Sequence, residues 1–109
     1  MTSDVANRRS ALRRAVRIDV TLLMDGAEVQ THTRDLSVGG MFIVTSLRPH
    51  IGRVLTVKLG VPALGADDTV DVTVRWISGD GIGVQFGSLR AVQVWGIQRA
   101  VRASLGSMG

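Results

Sequence analysis

The segment Val70-Asp71-Val72-Thr73-Val74-Arg75-Trp76 constrains the fold most, because apolar and polar residues alternate through it without a break. A period of two puts successive side chains on opposite faces of a strand, one toward a core and one toward water. On this pattern Trp76 belongs to the core face with the three valines. The same alternation runs through Val16, Ile18, Val20 and Leu22, and through Leu55, Val57 and Leu59. Ile82, Val84 and Phe86 share one face of another strand, and Val29 to Thr33 and Met41-Phe42-Ile43-Val44 supply two more. Asp25-Gly26 and Asp80-Gly81 are tight-turn signals, and Pro62 to Asp68 is rich in turn formers. Short strands with turns at this spacing predict an antiparallel barrel or sandwich.

The last segment changes period. Val94, Ile97 and Val101 fall at helical spacing with Trp95 beside them, Ser88 is placed to cap the start, and Gly106 to stop the end. Arg99 and Arg102 sit where cations suit the helix dipole, and Gly96 costs the helix about 1 kcal/mol relative to alanine. The expected architecture is all-β: a six-stranded antiparallel β-barrel over 15–109, carrying one C-terminal α-helix over about 88–105. A basic arm, residues 1–14, precedes it.

Composition excludes more than it assigns. The chain of 109 residues has room for one core, with 45% hydrophobic and 20% charged residues. It has no run of the roughly 18 apolar residues that a membrane span needs, and its start lacks the apolar centre of a secretory signal, so a cytoplasmic location is expected. The lack of cysteine removes disulfides, thiolate catalysis and cysteine-based metal sites. His32 and His50 have no companions at metal-ligand spacing, so no metal is expected. No GxxxxGK[ST] loop occurs and neither histidine has an orienting carboxylate nearby in sequence. The expectation is therefore a binding protein, with no catalytic residues and no cofactor.

Charge is distributed unevenly. Lys58 is the only lysine among 13 basic residues, and Arg8, Arg9, Arg13, Arg14 and Arg17 crowd the start, where Asp4 is the only acid. Forked guanidinium donors suit phosphate or guanine, whereas a plain solvated tail is served equally well by lysine. Arg9 and Arg13 form an RxxxR pair, followed by Asp35-Leu36-Ser37-Val38-Gly39-Gly40, which reads DxSxxG. Taken alone, the second motif is an ordinary Asx-turn with a glycine bend between strands.

In this order and at this spacing the two motifs resemble the PilZ domain. The resemblance begins at Asn7-Arg8-Arg9 and passes through Val16-Arg17-Ile18-Asp19-Val20 and Asp35 to Ile43. It ends with Val74-Arg75-Trp76-Ile77 and Gly81-Ile82-Gly83-Val84-Gln85-Phe86. The resemblance implies a six-stranded barrel and binding of the bacterial second messenger cyclic di-GMP. RxxxR can also be read as Arg13 with Arg17. The first register is preferred, because Arg17 already lies within the alternating pattern of the first strand, where it faces outward.

The resemblance assigns ligand contacts to Arg8, Arg9, Arg13, Asp35, Ser37 and Gly40, and secondarily to Arg14, Arg17, Gly39 and Trp76. An arginine fork can donate to O6 and N7 of guanine or to phosphate oxygens. The ionised Asp35 carboxylate accepts from guanine N1–H and its exocyclic amine, and Ser37 can donate its hydroxyl. Gly40 and Gly39 would let the backbone turn tightly and approach the ligand. An arginine at position 8 is associated in the family with an intercalated cyclic di-GMP dimer. Trp76 takes the core role, with guanine stacking as its alternative, and Trp95, Val94 and Ile97 cover the barrel end or meet a partner. A stand-alone receptor of this kind acts through a protein partner. Two other functions stay open: a PilZ-like adaptor without ligand, and a small basic barrel for nucleic acid, which the 4% aromatic content disfavours as a base-stacking surface.

Overall fold

A computed structural model describes residues 15–61 and 68–108, and in it the alternating segments form six strands and one helix. They are β1 (Asp19–Met24), β2 (Ala27–Leu36), β3 (Gly40–Val44), β4 (Val54–Gly60), β5 (Thr69–Ile77), β6 (Gly81–Phe86) and α1 (Ala91–Met108). The strands close into a barrel in the order β1-β2-β3-β6-β5-β4, every neighbouring pair antiparallel. Closure leaves no sheet edge exposed. The expected arm at 1–14 and positions 62–67 of the expected turn lie outside the described residues.

Alternation decides what fills the barrel. Val20 and Leu22, Met41 and Ile43, Val57 and Leu59, Val72 and Val74, and Ile82 and Val84 all point inward and are buried in one cluster. Each such side chain contributes on the order of 1.5–3 kcal/mol over its exposed state. The β1–β2 hairpin turns on Asp25 and Gly26, with φ of 53° and 81°. Two consecutive positive φ values are those of a type I′ turn, whose twist matches the flanking strands, as the Asp-Gly pair predicts. β1 begins three residues later than the alternation suggests. Val16 and Ile18 are still fastened to β2, because the Thr33 hydroxyl donates to Val16 O (2.6 Å) and accepts from Ile18 N–H (3.0 Å).

Two expectations fail for one reason. Thr33 pairs with Ile43 and Asp35 with Phe42, so Arg34 is an extra residue in β2. Likewise Val74 pairs with Val84 and Trp76 with Gly83, so Arg75 is an extra residue in β5. A bulge of this kind resets which face the following residues occupy. Asp35 and Leu36 are therefore strand residues rather than part of a loop, with Leu36 buried inside. Trp76 is displaced from the core to the outer face and is 42% exposed, while Ile77 packs against the core instead.

The helix also departs from its expected ends. It starts at Ala91, and the Gln93 side chain accepts from the Arg90 backbone N–H (2.9 Å) in a capping-box arrangement, so Ser88 is not the cap. Gln93 is buried and donates as well to Asp68 Oδ2 (2.8 Å) and Thr69 O (3.0 Å), anchoring the helix start to the entry of β5. Gly106 does not stop the helix, which runs to Met108. Gln93, Gly96, Ile97 and Val101 form its buried stripe, and Ile97 and Val101 join the barrel core. Gly96 is thus on the packed face of the helix.

Candidate functional site

The β2–β3 connection is only three residues long, Ser37-Val38-Gly39, and its shape comes from one buried hydroxyl. Ser37 Oγ accepts from Gly39 N–H (3.1 Å) and Gly40 N–H (3.3 Å), and it lies 3.4 Å from Gly40 O as a donor. Ser37 N–H donates to Gly40 O (2.9 Å). A hydroxyl has one hydrogen and two lone pairs, so this geometry occupies all of its capacity. Ser37 is 0% exposed and here acts on the turn.

Gly40 is required for a reason other than the expected turn. Its φ is not positive, but a Cβ built there would lie 2.2 Å from Val84 O. The close approach that glycine permits is between the backbones of β3 and β6. Gly39, exposed beside it, accepts from Phe86 N–H (3.0 Å) and ties the turn to the end of β6.

From this turn the register carries a row across the outer face of the barrel. Asp35 on β2 is opposite Phe42 on β3, Phe42 opposite Gly83 on β6, and Gly83 opposite Trp76 on β5. Adjacent strands lie about 4.8 Å apart, so the row spans about 14 Å. The indole of Trp76 lies flat on Gly83: a Cβ there would sit 2.0 Å from its ring. Phe42 leans over Gly81, whose Cβ would lie 3.0 Å from the phenyl edge. The two glycines remove the outward side chains of β6 at positions 81 and 83 and leave a shallow bed for both rings.

Arginines frame this bed. The Arg34 guanidinium carbon lies 3.8 Å from the Phe42 ring centroid, and its Nη1 is 3.4 Å from Asp80 Oδ2. Arg75 donates from Nε to Gln85 Oε1 (2.7 Å), and Gln85 is opposite both Gly40 and Thr73. Cations, the exposed Trp76 indole and the Asp35 carboxylate thus share one face, a combination suited to a ligand with flat bases and negative charge.

Of the residues expected from the sequence, the structure brings Asp35, Ser37, Gly39, Gly40 and Trp76 onto or beneath this face. Arg17 is exposed on the neighbouring surface, at a groove of about 380 Å³ shared with Asp19, Gln30 and His32. Arg8, Arg9, Arg13 and Arg14 lie outside the described residues. Arg34, Phe42, Arg75 and Gly83 were not among the expected residues. Adjacency to Asp35 and Trp76 was the signal for Arg34 and Arg75, but only the two bulges turn these neighbours to the same side, and Phe42 and Gly83 join them only through strand register. Among the described residues no cluster of three or more His, Asp or Glu could hold a metal, and no helix is long and apolar enough to cross a membrane.

A closed six-stranded antiparallel barrel with a DxSxxG turn between its second and third strands defines a class of small barrel domains. The family model for the PilZ domain matches residues 7–103, and the chain belongs to that family. No curated protein matches it. Among solved structures it is similar to the inhibitor of motility MotI/DgrA of Bacillus subtilis, at 21% identity and a TM-score of 0.72 over 91% of this chain. The match covers 52% of MotI, so the chain spans about half the length of that protein. The PilZ domain of YcgR from Escherichia coli with c-di-GMP aligns at 15% identity and a TM-score of 0.71, over 93% of this chain and 94% of that domain. The Borreliella burgdorferi PlzA protein in complex with c-di-GMP aligns at 14% and 0.57, over 88% of this chain and 36% of PlzA. At these identities the likeness is one of fold.

Proposed function

We propose that the chain is a bacterial cyclic di-GMP receptor, acting by binding and not by catalysis, with the row Asp35–Phe42–Gly83–Trp76 as the seat of the ligand. The observation that carries this reading is the placement of the DxSxxG turn beside an outer face where the exposed Trp76 indole lies on Gly83 and Arg34 covers Phe42. Two of the similar structures, YcgR and PlzA, contain c-di-GMP. Asp35 accepts from the Watson–Crick edge of one guanine, Trp76 offers a stacking face, and Ser37 and Gly40 hold the turn in place. Arg9 and Arg13 close over the ligand from the N-terminal side, with Arg14 and Arg17 as supporting cations. Arg8 meets a second ligand molecule in an intercalated dimer.

Closure of the arm changes the surface offered to a protein partner in the cytoplasm. The outer face of α1 suits that contact: Val92 and Trp95 are 46% and 49% exposed, and Arg99 lies 5.2 Å over the Trp95 ring. Tryptophan and arginine are the residue types that dominate interface energies.

Isothermal titration with cyclic di-GMP, with cyclic di-AMP and GTP as controls, tests the reading. Selective saturable binding is expected, at two ligands per chain if the dimer forms. Arg13→Ala should abolish or greatly weaken it, and Asp35→Ala should weaken cyclic di-GMP more than cyclic di-AMP, because adenine lacks the guanine donors. Absence of binding at moderate salt would make the chain a ligand-free adaptor.

A further inference from the structure

Arg34 is built into the bed as a flat cation. The bulge in β2 turns Arg34 and Asp35, consecutive in sequence, to the same outer face. The guanidinium rests on Phe42 at 3.8 Å, while half of its side chain stays exposed. Phe42 is 1% exposed although it lies on the outside of the barrel, between inward-facing Met41 and Ile43. The contact of Arg34 with Asp80 is solvent-exposed on both sides, and such pairs contribute little to stability. A role as a structural tie therefore explains little of this arrangement. A guanidinium is planar and weakly hydrated and can stack on both of its faces, which an ammonium cannot. One face here is already taken by Phe42, and the other is left to solvent.

We infer that Arg34 is a base-stacking residue: its exposed guanidinium face carries one purine of the bound nucleotide, sandwiching the cation between that base and Phe42. A base lying there has its edge beside Asp35, the next residue, so one bulge supplies both the platform and the reader of the base edge. The inference rests on the cyclic di-GMP reading above and adds a residue to it.

The test titrates cyclic di-GMP into the wild type, Arg34→Gln and Arg34→Lys, with melting temperatures measured in parallel. Loss of one stacked base weakens binding on the order of tenfold or more. That loss is expected in both variants, with melting temperatures within a few degrees of wild type. Wild-type affinity in Arg34→Gln would overturn the inference. Full affinity in Arg34→Lys would also overturn it, since lysine keeps the charge and lacks the plane. The Arg34 side-chain Nε–Hε NMR resonance of the wild-type protein is a readout that needs no variant to fold. It should move on saturation with cyclic di-GMP, and a resonance that stays in place would overturn the assignment. A wild-type protein that binds no cyclic di-GMP removes the receptor reading itself, a result distinct from failure at Arg34 alone, and Arg34's role falls with it.

Discussion

Gly83→Ala separates the fold from the bed that lies on it. The new Cβ would lie 2.0 Å from the Trp76 indole, whereas carbon atoms in contact sit about 3.5–4.0 Å apart. The ring must retreat by about 1.5 Å. Trp76 is already 42% exposed, so it can swing outward without moving backbone. Lifting it exposes on the order of 50 Å² of apolar surface, a loss of about 1.3 kcal/mol at 25 cal/mol/Å². Replacing glycine by alanine within a strand returns about 0.5–1 kcal/mol. The net cost is below about 1 kcal/mol, a fall in melting temperature of about 5 °C or less. Gly40→Ala meets the opposite situation, because its Cβ would lie 2.2 Å from Val84 O in the backbone of β6. Strands must separate there, at a cost of about 3 kcal/mol or more. The assay compares the two melting temperatures and follows indole emission in a Trp95→Phe background, where Trp76 is the only tryptophan. Gly83→Ala should shift the emission to the red, melt near the parent and bind cyclic di-GMP more weakly. If Gly83→Ala destabilises as much as Gly40→Ala, or leaves the emission unchanged, the placement of the indole on β6 is refuted.

Other substitutions probe how the site is supported. Thr33→Val keeps the shape of the side chain but leaves Val16 O and Ile18 N–H without the hydroxyl, and should cost about 1–3 kcal/mol. Hydrogen exchange at the Ile18 amide should accelerate in that variant, and unchanged exchange would show that the hydroxyl does not hold the segment. Gln93→Ala removes the cap of α1 together with both contacts at the entry of β5, and should cost about 1–2 kcal/mol by denaturant titration. Ser88→Ala should be neutral in the same titration, because the helix begins at Ala91.

Much of this protein was legible in its residues. Alternation in Val70 to Val74 and in Val20 to Leu22 identified strands because burying one face of a strand requires period two, whatever the partner strand is. Asp25-Gly26 announced its hairpin because few residue pairs accept two consecutive positive φ values. The two motifs pointed to the family that the match over residues 7–103 establishes. The cap of α1 was missed because Arg90 is none of the usual N-cap residue types, and Gln93 is fixed in place by Asp68 and Thr69, some 24 residues earlier in the chain.

The face of the barrel on which each residue stands was decided by tertiary structure alone. A bulge is a mismatch in count between two paired strands, two residues against one, and neither strand's sequence contains it. Arg34 and Arg75 are the two extra residues, and each turns its successor, Asp35 or Trp76, to the outside. Simple alternation would have buried the tryptophan among the valines. Sequence alone thus determined which segments become strands, because hydrophobic burial acts on each strand locally. The register between strands assembled the candidate site, because it depends on backbone hydrogen bonds that form only when the barrel closes.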